Sequence, residues 1–309
     1  MTFEDYLLHL FYLVDALLEA LKSDLGRPRL RSRGPEPSLH DSEVITMELA
    51  GEFAGIDTDK GIYCFFRRYH RGEFPALART CRTSFARQAA NLWRVKQLLH
   101  ERLLALLPLA DPVEGTPLWL LDSFPLRLCR LARAPGAKLF KDVAGFGHDP
   151  TSPRDLYWGL RVHVRCGDFG AAAQLELTAA AVADVNAAVA LAPPPGGWGP
   201  ALGDRAYWHV DPLRRERWAR AGLVLSAPFK KERLDPHPRR SAVIARLRQV
   251  VEVVIGQLAT RFNAERTRAR DLWHLCSRLA RKALSHTAAV LLNWRLGNPP
   301  LQLDRLVVL

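Results

Sequence analysis

The chain lacks long hydrophobic runs and close cysteine pairs, and it is short of acid. Its apolar stretches fall well below the ~20 residues that a membrane-spanning helix needs, so no membrane partner is expected. The opening Met1-Thr2-Phe3-Glu4-Asp5 is acidic where a secretory leader would be basic, and no export is implied. The five cysteines, Cys64, Cys81, Cys129, Cys166 and Cys276, are odd in number and widely spaced. Neither a disulfide framework nor a zinc site is expected from them, and they read as reduced cytosolic core thiols.

Basic residues, by contrast, are abundant. Forty-four Lys and Arg face 32 Asp and Glu, a net charge of +12 over 309 residues. Between Lys230 and Lys282 the ratio is 14 to 5, so that window alone carries a surplus of nine. Such a surface attracts polyanions, of which nucleic acid is the commonest in a cytoplasm, although a solvated basic face without a partner has the same composition. The length suits two domains.

Residues 3 to 22 carry a leucine-rich helical stripe. Arg27 to Pro37 then alternates four arginines with helix breakers, reading as an extended basic arm along a phosphate backbone or as a plain linker. A second helix is expected from about Leu39. Ile62 to Arg71 interleaves Tyr63, Phe65, Phe66 and Tyr69 with Arg67, Arg68, His70 and Arg71, as in a helix packed on one side and meeting phosphates on the other. Helices over Thr83–Leu92 and Trp93–Leu107 complete an all-α domain, residues 1–112, that suits a helix-turn-helix DNA reader, with no sign of which helix reads.

From Pro117 the texture changes to strands. Leu118-Trp119-Leu120-Leu121 reads as a strand buried on both faces, ended by Asp122 and, three residues on, by Pro125. Asp122 there is either a turn-former or an acid placed where α/β sheets bind ligands. Residues 127–154 read as a polar loop. Tyr157–Cys166 alternates Trp158, Leu160, Val162 and Val164 with Arg161, His163 and Arg165, predicting one core face and one positive face. On that positive face His163 is a plain surface residue or, with its two arginines, a phosphate contact. Gln174–Thr178 adds a third strand in an antiparallel meander, and a helix is expected over Ala180–Leu191. Ala201 to Asp204 forms a short fourth strand, with Asp204 either a second strand-end acid or a helix cap; a helix from Pro212 and a fifth strand over Leu223–Ala227 follow.

The last long helix predicts a continuous buried stripe through Val243, Ile244, Leu247, Val250, Val251, Val254, Ile255 and Leu258. Glu252 lies off it, beside Ala245, Arg248, Gly256 and Ala259, and is either exposed and paired to Arg248 or part of a site. Asp122, Asp204 and Glu252, spaced by 82 and 48 residues, then form a set. Three converging carboxylates resist joint ionisation unless a cation neutralises them, and hard oxygen ligands suit Mg²⁺ or Mn²⁺.

The order Leu-Leu-Asp122-Ser, Gly203-Asp204-Arg-Ala-Tyr207 and Arg248-x-x-x-Glu252 resembles the DDE transposases of bacterial insertion sequences. Within them it is most similar to the insertion sequence nine-eight-two family, through Gly51-Glu52-Phe53-Ala54-Gly55-Ile56-Asp57, Phe66-Arg67-Arg68, Asp122-Ser123-Phe124-Pro125-Leu126 and His163. It departs from many relatives in having Ala245 three before the Arg and Ala259 seven after the Glu, where those have Tyr and Lys. The resemblance implies an α/β, ribonuclease-H-like mixed five-stranded sheet flanked by helices over residues 113–297, preceded by the all-α domain and followed by a tail, 298–309. It further implies a metal-dependent polynucleotidyl transferase and endonuclease that binds the inverted-repeat ends of its element, cleaves there and joins them to target DNA.

Under that resemblance Asp122, Asp204 and Glu252 are catalytic and hold two Mg²⁺ ions, or Mn²⁺ in their place, roughly 4 Å apart. Arg248, Arg161, His163, Arg165, Lys230, Lys231, Arg67 and Arg68 would contact DNA, and Trp208 would stack on an unpaired base or pack in the core. The partners implied are double-stranded DNA and at least a second copy of the chain, a homodimer or higher homo-oligomer, at the bacterial nucleoid. Two alternatives differ in activity: a catalytically silent transposase-derived DNA-binding protein, and a ribonuclease-H-like nuclease or resolvase that cuts by DNA structure.

Overall fold

The structure, a computed structural model, describes the chain apart from residues 32–33, 109–116, 150–154, 194–198, 209–210, 230–233, 267 and 308–309. In chain order it runs α1 (Phe3–Asp24), α2 (Asp41–Phe53), α3 (Asp59–Tyr69), α4 (Arg82–Asn91), α5 (Trp93–Ala105), β1 (Trp119–Cys129), β2 (Gly145–His148), β3 (Leu156–Gly167) and β4 (Ala172–Ala179). There follow α6 (Asp184–Ala187), β5 (Gly199–Leu202), α7 (Pro212–Arg220), β6 (Leu223–Ser226), α8 (Pro238–Thr260) and α9 (Leu272–Arg295). These make two compact units, one of residues 1–106, 261–263 and 273–309, the other of residues 107–260 and 264–272. No helix among the described residues is long and apolar enough to cross a membrane.

The first unit is all helical. Thr2 opens α1 by accepting from the Asp5 N–H at 3.1 Å while the Asp5 carboxylate accepts from the Thr2 N–H, a reciprocal cap. Tyr6, Leu10, Val14, Leu18 and Leu21 then form its buried face. Nearly all of α2 is buried, including Glu48 and Glu52, and an acid in that position needs a partner. Lys96 of α5 donates to both oxygens of Glu48 at 2.9 Å. From α9, Arg281 reaches Glu48 at 3.0 Å, Glu52 at 2.7 Å and Asp59 at 2.7 Å, and Lys282 reaches Glu52 at 2.6 Å. Three cations thus match three carboxylates, and this network ties α9 to a helix more than 200 residues earlier. The connection from α3 to α4 spans twelve residues, 70–81, and contains a short 3₁₀ turn, Pro75–Ala78.

The second unit holds a six-stranded mixed sheet in the order β2-β3-β1-β5-β6, with β4 also paired to β3. β1, β3 and β4 are antiparallel, whereas β5 and β6 run parallel to β1. The sixth strand, β2, lies within the stretch expected to be loop. Its Gly147 admits the close approach of a neighbour, since a Cβ there would lie 2.5 Å from the Ala180 carbonyl.

Two further expectations are corrected. Pro125 does not end β1, which continues to Cys129 opposite β3. On its other side β1 pairs with β5 only at Trp119 and Leu120, so the proline falls where β1 is an edge and a missing N–H costs no ladder bond. Nor are the cysteines all core thiols: Cys64, Cys81 and Cys276 are exposed and only Cys166 is fully buried.

The register divides the sheet's two faces. Leu121, Ser123, Arg161, His163 and Arg165 share one, covered by a core that includes Ala188, Leu191, Tyr207 and Trp218. Leu120, Asp122, Phe124, Val162 and Val164 share the other, against which α8 packs.

Removing one charge from the buried network strands its partners. Glu52→Gln is expected to lower the unfolding free energy by about 3–5 kcal/mol in urea titration of the full chain. The double change Glu52→Leu with Lys282→Leu should recover a large part of that loss, and equal losses in both variants would contradict the ion-pair account.

Candidate active site

Asp122 and Asp204 are brought level by strand register. Leu120 of β1 pairs with Leu202 of the parallel β5, and each acid lies two residues beyond its partner in that pair. Two residues is one full side-chain period, so both carboxylates leave the sheet on the side facing α8. Asp204 lies two residues past the end of β5 and caps a 3₁₀ turn, its Oδ1 accepting from the Ala206 N–H at 2.8 Å. Gly203 precedes it because the Tyr207 ring packs where a side chain would stand: a Cβ there would lie 2.6 Å from that ring.

Asp122 accepts from the Ser123 N–H at 2.8 Å and, through Oδ2, from Arg248 Nη2 at 2.7 Å. Arg248 comes from the buried side of α8 and also lies 3.7 Å from Glu252, one turn further along the same helix. One guanidinium therefore spans Asp122 and Glu252. Glu252 itself is half exposed, its side chain at 57%. The α8 stripe is narrower than expected, because Val243 faces outward and Leu247, Val250 and Ile255 are only partly covered, while Ile244, Val251, Val254 and Leu258 are buried.

The electrostatics of the pair are those of under-compensated acids. Burial pushes Asp122 up from 3.8 to about 6, against the pull of Arg248 and the Ser123 N–H and with added push from Asp204 and Asp184. Burial raises Asp204 too, opposed by Arg248 and the Ala206 N–H and aided by Asp184. The Tyr207 phenol is driven far up by burial and by the same three aspartates, and its hydroxyl is buried without a hydrogen-bond partner among the described residues.

Asp184 is the acid that sequence reasoning missed. It opens α6 on the opposite face of the sheet, where Arg161 Nη1 donates to it at 3.1 Å and His163 Nδ1 lies 3.2 Å away. Burial raises Asp184, but the bonds to His163 and Ser123 and the charge of Arg161 outweigh it and hold the carboxyl below its usual range. Nothing in its local pattern marks it, since its partners lie about 20 and 60 residues upstream.

The remaining predicted residues fall into three groups. Arg161, His163 and Arg165 do not form an open positive face: His163 is fully buried, Arg165 is 5% exposed and bonded to Gln174, and Arg161 is held by Asp184. The α6 segment and its core cover that face, so the strand is buried on both sides. Arg67 and Arg68 are exposed at the end of α3. Lys230 and Lys231 lie outside the described residues. Trp208 packs against the core beside Tyr207, 5.7 Å from the Phe229 ring.

A cleft of about 570 Å³ opens beside the acids, lined by Asp204, Arg205, Arg248, Ser241, Ala242 and Ala245 among others. As to a cation, two partly buried carboxylates with raised pKa, side by side with one guanidinium against them, suit a hard divalent ion by their chemistry. Glu252 does not join them as expected. Among the described residues no three His, Cys, Asp or Glu side chains are grouped to hold a metal, because Arg248 stands between Glu252 and the aspartates.

Three antiparallel strands followed by two parallel ones, helices on both faces and two acids level on adjacent central strands define a ribonuclease-H-like α/β domain. Residues 113–272, more than half of the chain, match the transposase DDE domain family, and the chain belongs to that family: it is a DDE transposase, an enzyme of the nuclease and transferase kind whose family acts on DNA and generally uses divalent metals. No curated protein and no solved structure matches it.

The raised Asp122 carries a pH signature. A group with a raised folded pKa lends stability below its unfolded value, and that stability is lost as pH climbs through the folded one. Between pH 4 and pH 7, metal-free wild type is therefore expected to lose on the order of 2–3 kcal/mol of unfolding free energy relative to Asp122→Asn. Added Mg²⁺ should reduce the loss, and parallel pH profiles for the two proteins would contradict the raised value.

Proposed function

We propose that the protein is a transposase of the insertion sequence nine-eight-two type from a bacterium. It binds the inverted-repeat ends of its own element, cleaves there and transfers the freed strands to target DNA, working at the nucleoid as a homodimer or larger homo-oligomer. The observation that carries this reading is the level pairing of Asp122 and Asp204 on parallel strands with Arg248 and Glu252 above them on α8.

In this mechanism Asp122 and Asp204 would hold a divalent cation, Mg²⁺ or Mn²⁺, and Glu252 would complete the set for a second ion. When bound, such ions make water or a DNA 3′-hydroxyl a competent nucleophile and stabilise the leaving oxygen. The protein's own groups do the positioning. The N–H groups of Ser123 and Ala206 each fix one oxygen of the aspartate they contact. Arg248 and Arg205, both on the cleft, draw the scissile phosphate toward the acids, and Ala242 and Ala245 leave width for the backbone beside them.

One observation favours a second reading. Arg248 already bonds Asp122, and Glu252 is not grouped with the aspartates among the described residues, as suits a DNA-binding descendant that no longer cuts.

Cleavage and joining by the purified protein on duplexes carrying the element ends found beside its coding sequence, with Mg²⁺ or Mn²⁺, separates the two. Asp122→Asn, Asp204→Asn and Glu252→Gln are each expected to slow cleavage by roughly 10²–10³-fold or more while DNA binding survives. Unchanged cleavage in the Glu252 variant alone would remove that residue from the site. Tight, end-specific binding by a wild type that never cuts would establish the silent reading.

A further inference from the structure

The first unit concentrates charge of one sign on one stretch. From residue 60 to residue 94 there are eight Lys and Arg and one acid, Glu73, and all eight cations are exposed. Toward the end of this stretch lies α4, which contains no acid at all.

Its two sides differ sharply. Phe85, Gln88 and Ala89 are buried, and Gln88 donates to the Leu39 carbonyl at 2.9 Å and to Asp41 at 2.7 Å, fastening the helix to the start of α2. Stepping 100° per residue, the outward arc carries Arg82, Thr83, Arg87 and Asn91 around a centre of two small residues, Ala86 and Ala90. Arg82, Arg87 and Asn91 make no hydrogen bond or ion pair among the described residues. No carboxylate among the described residues pairs with either arginine.

These are the side chains that read base edges. Arg pairs with the two acceptors of guanine, Asn with the donor and acceptor of adenine, and alanine or threonine methyls meet the thymine methyl. A helix ~10–12 Å across fits a major groove ~12 Å wide, and the small residues at the centre of the arc let its axis approach the bases. Arg67 and Arg68, at the end of α3, belong to the same basic stretch, and Arg67 is held by the Tyr63 hydroxyl, which in turn donates to the Thr80 carbonyl just before α4.

We infer that α4 is the helix that reads the base sequence of the element ends, with Arg82, Thr83, Arg87 and Asn91 on base edges and Arg67 and Arg68 on flanking phosphates. The inference rests on the transposase reading above and adds the recognition surface to it.

The test is a fluorescence-anisotropy titration of the full-length protein on a duplex carrying the element end and on a scrambled duplex, each at several salt concentrations. Arg87→Ala with Asn91→Ala should weaken binding to the end duplex by about 10–100-fold and change binding to the scrambled duplex little. Arg67→Ala with Arg68→Ala should weaken both equally and reduce the salt slope by about one per arginine. All four side chains are exposed, so unchanged thermal unfolding is expected in both variants. End preference retained in the α4 variant, or equal loss on both duplexes, overturns the inference while leaving the transposase reading intact. A wild type that shows no preference for the end duplex overturns both.

Discussion

The site depends on one constraint, the two-residue parallel pairing of β1 with β5. Trp119 opposite Ala201 and Leu120 opposite Leu202 is the whole of that ladder, yet it sets the height and the facing of both aspartates. A slip of one residue would turn Asp204 to the other face, because side chains alternate with a period of two. Gly203 secures the arrangement by letting Tyr207 pack against the strand end, and Tyr207 in turn belongs to the core beneath the sheet. Backbone pairing and packing therefore set where the acids stand, and the Ser123 and Ala206 N–H groups and Arg248 then fix their oxygens.

Arg248 is the counterpart of that constraint. Two carboxylates level on adjacent strands, largely out of water, repel each other, and the one buried guanidinium against them supplies partial relief. Its bond to Asp122 and its reach to Glu252 put the three acids and the arginine in one neighbourhood. Behind the sheet a second balance holds, in which Arg161 donates to Asp184 and His163 lies 3.2 Å from it. The two sides differ in outcome: Asp184 is held below its usual range, whereas burial outweighs the donors of Asp122 and pushes it up.

Much of this was legible in the residues. The α4–α5 boundary fell within a residue of expectation, since Leu92 interrupts two separate apolar stripes. The apolar run ending in Asp122 marked a central strand, and the order of acids with Gly203 and Arg248 carried the family. The fate of β3 was not legible. Its alternation was read correctly, but an alternating strand tells only that its two faces differ, and what covers the second face is supplied by residues 184–191, outside any local window. β2 was missed for a related reason: Gly145-Phe146-Gly147-His148 has no apolar period and is a strand because β3 offers it an edge.

By itself, then, the sequence determined most of the elements, the mixed α/β class and the two acids on neighbouring strands as candidates, because each follows from periodicity, breakers and residue type within a short window. The tertiary structure alone decided which arginines are free and which are spent. Arg161 and Arg165 look no different in sequence from Arg82 and Arg87, yet Arg161 is bonded to Asp184 and Arg165 is buried beside Gln174, while the last two stand open on α4. It likewise decided that α9 is anchored in the helical unit, since a buried charge is stable only where opposite charges from distant segments meet it, and sequence distance carries no information about that meeting.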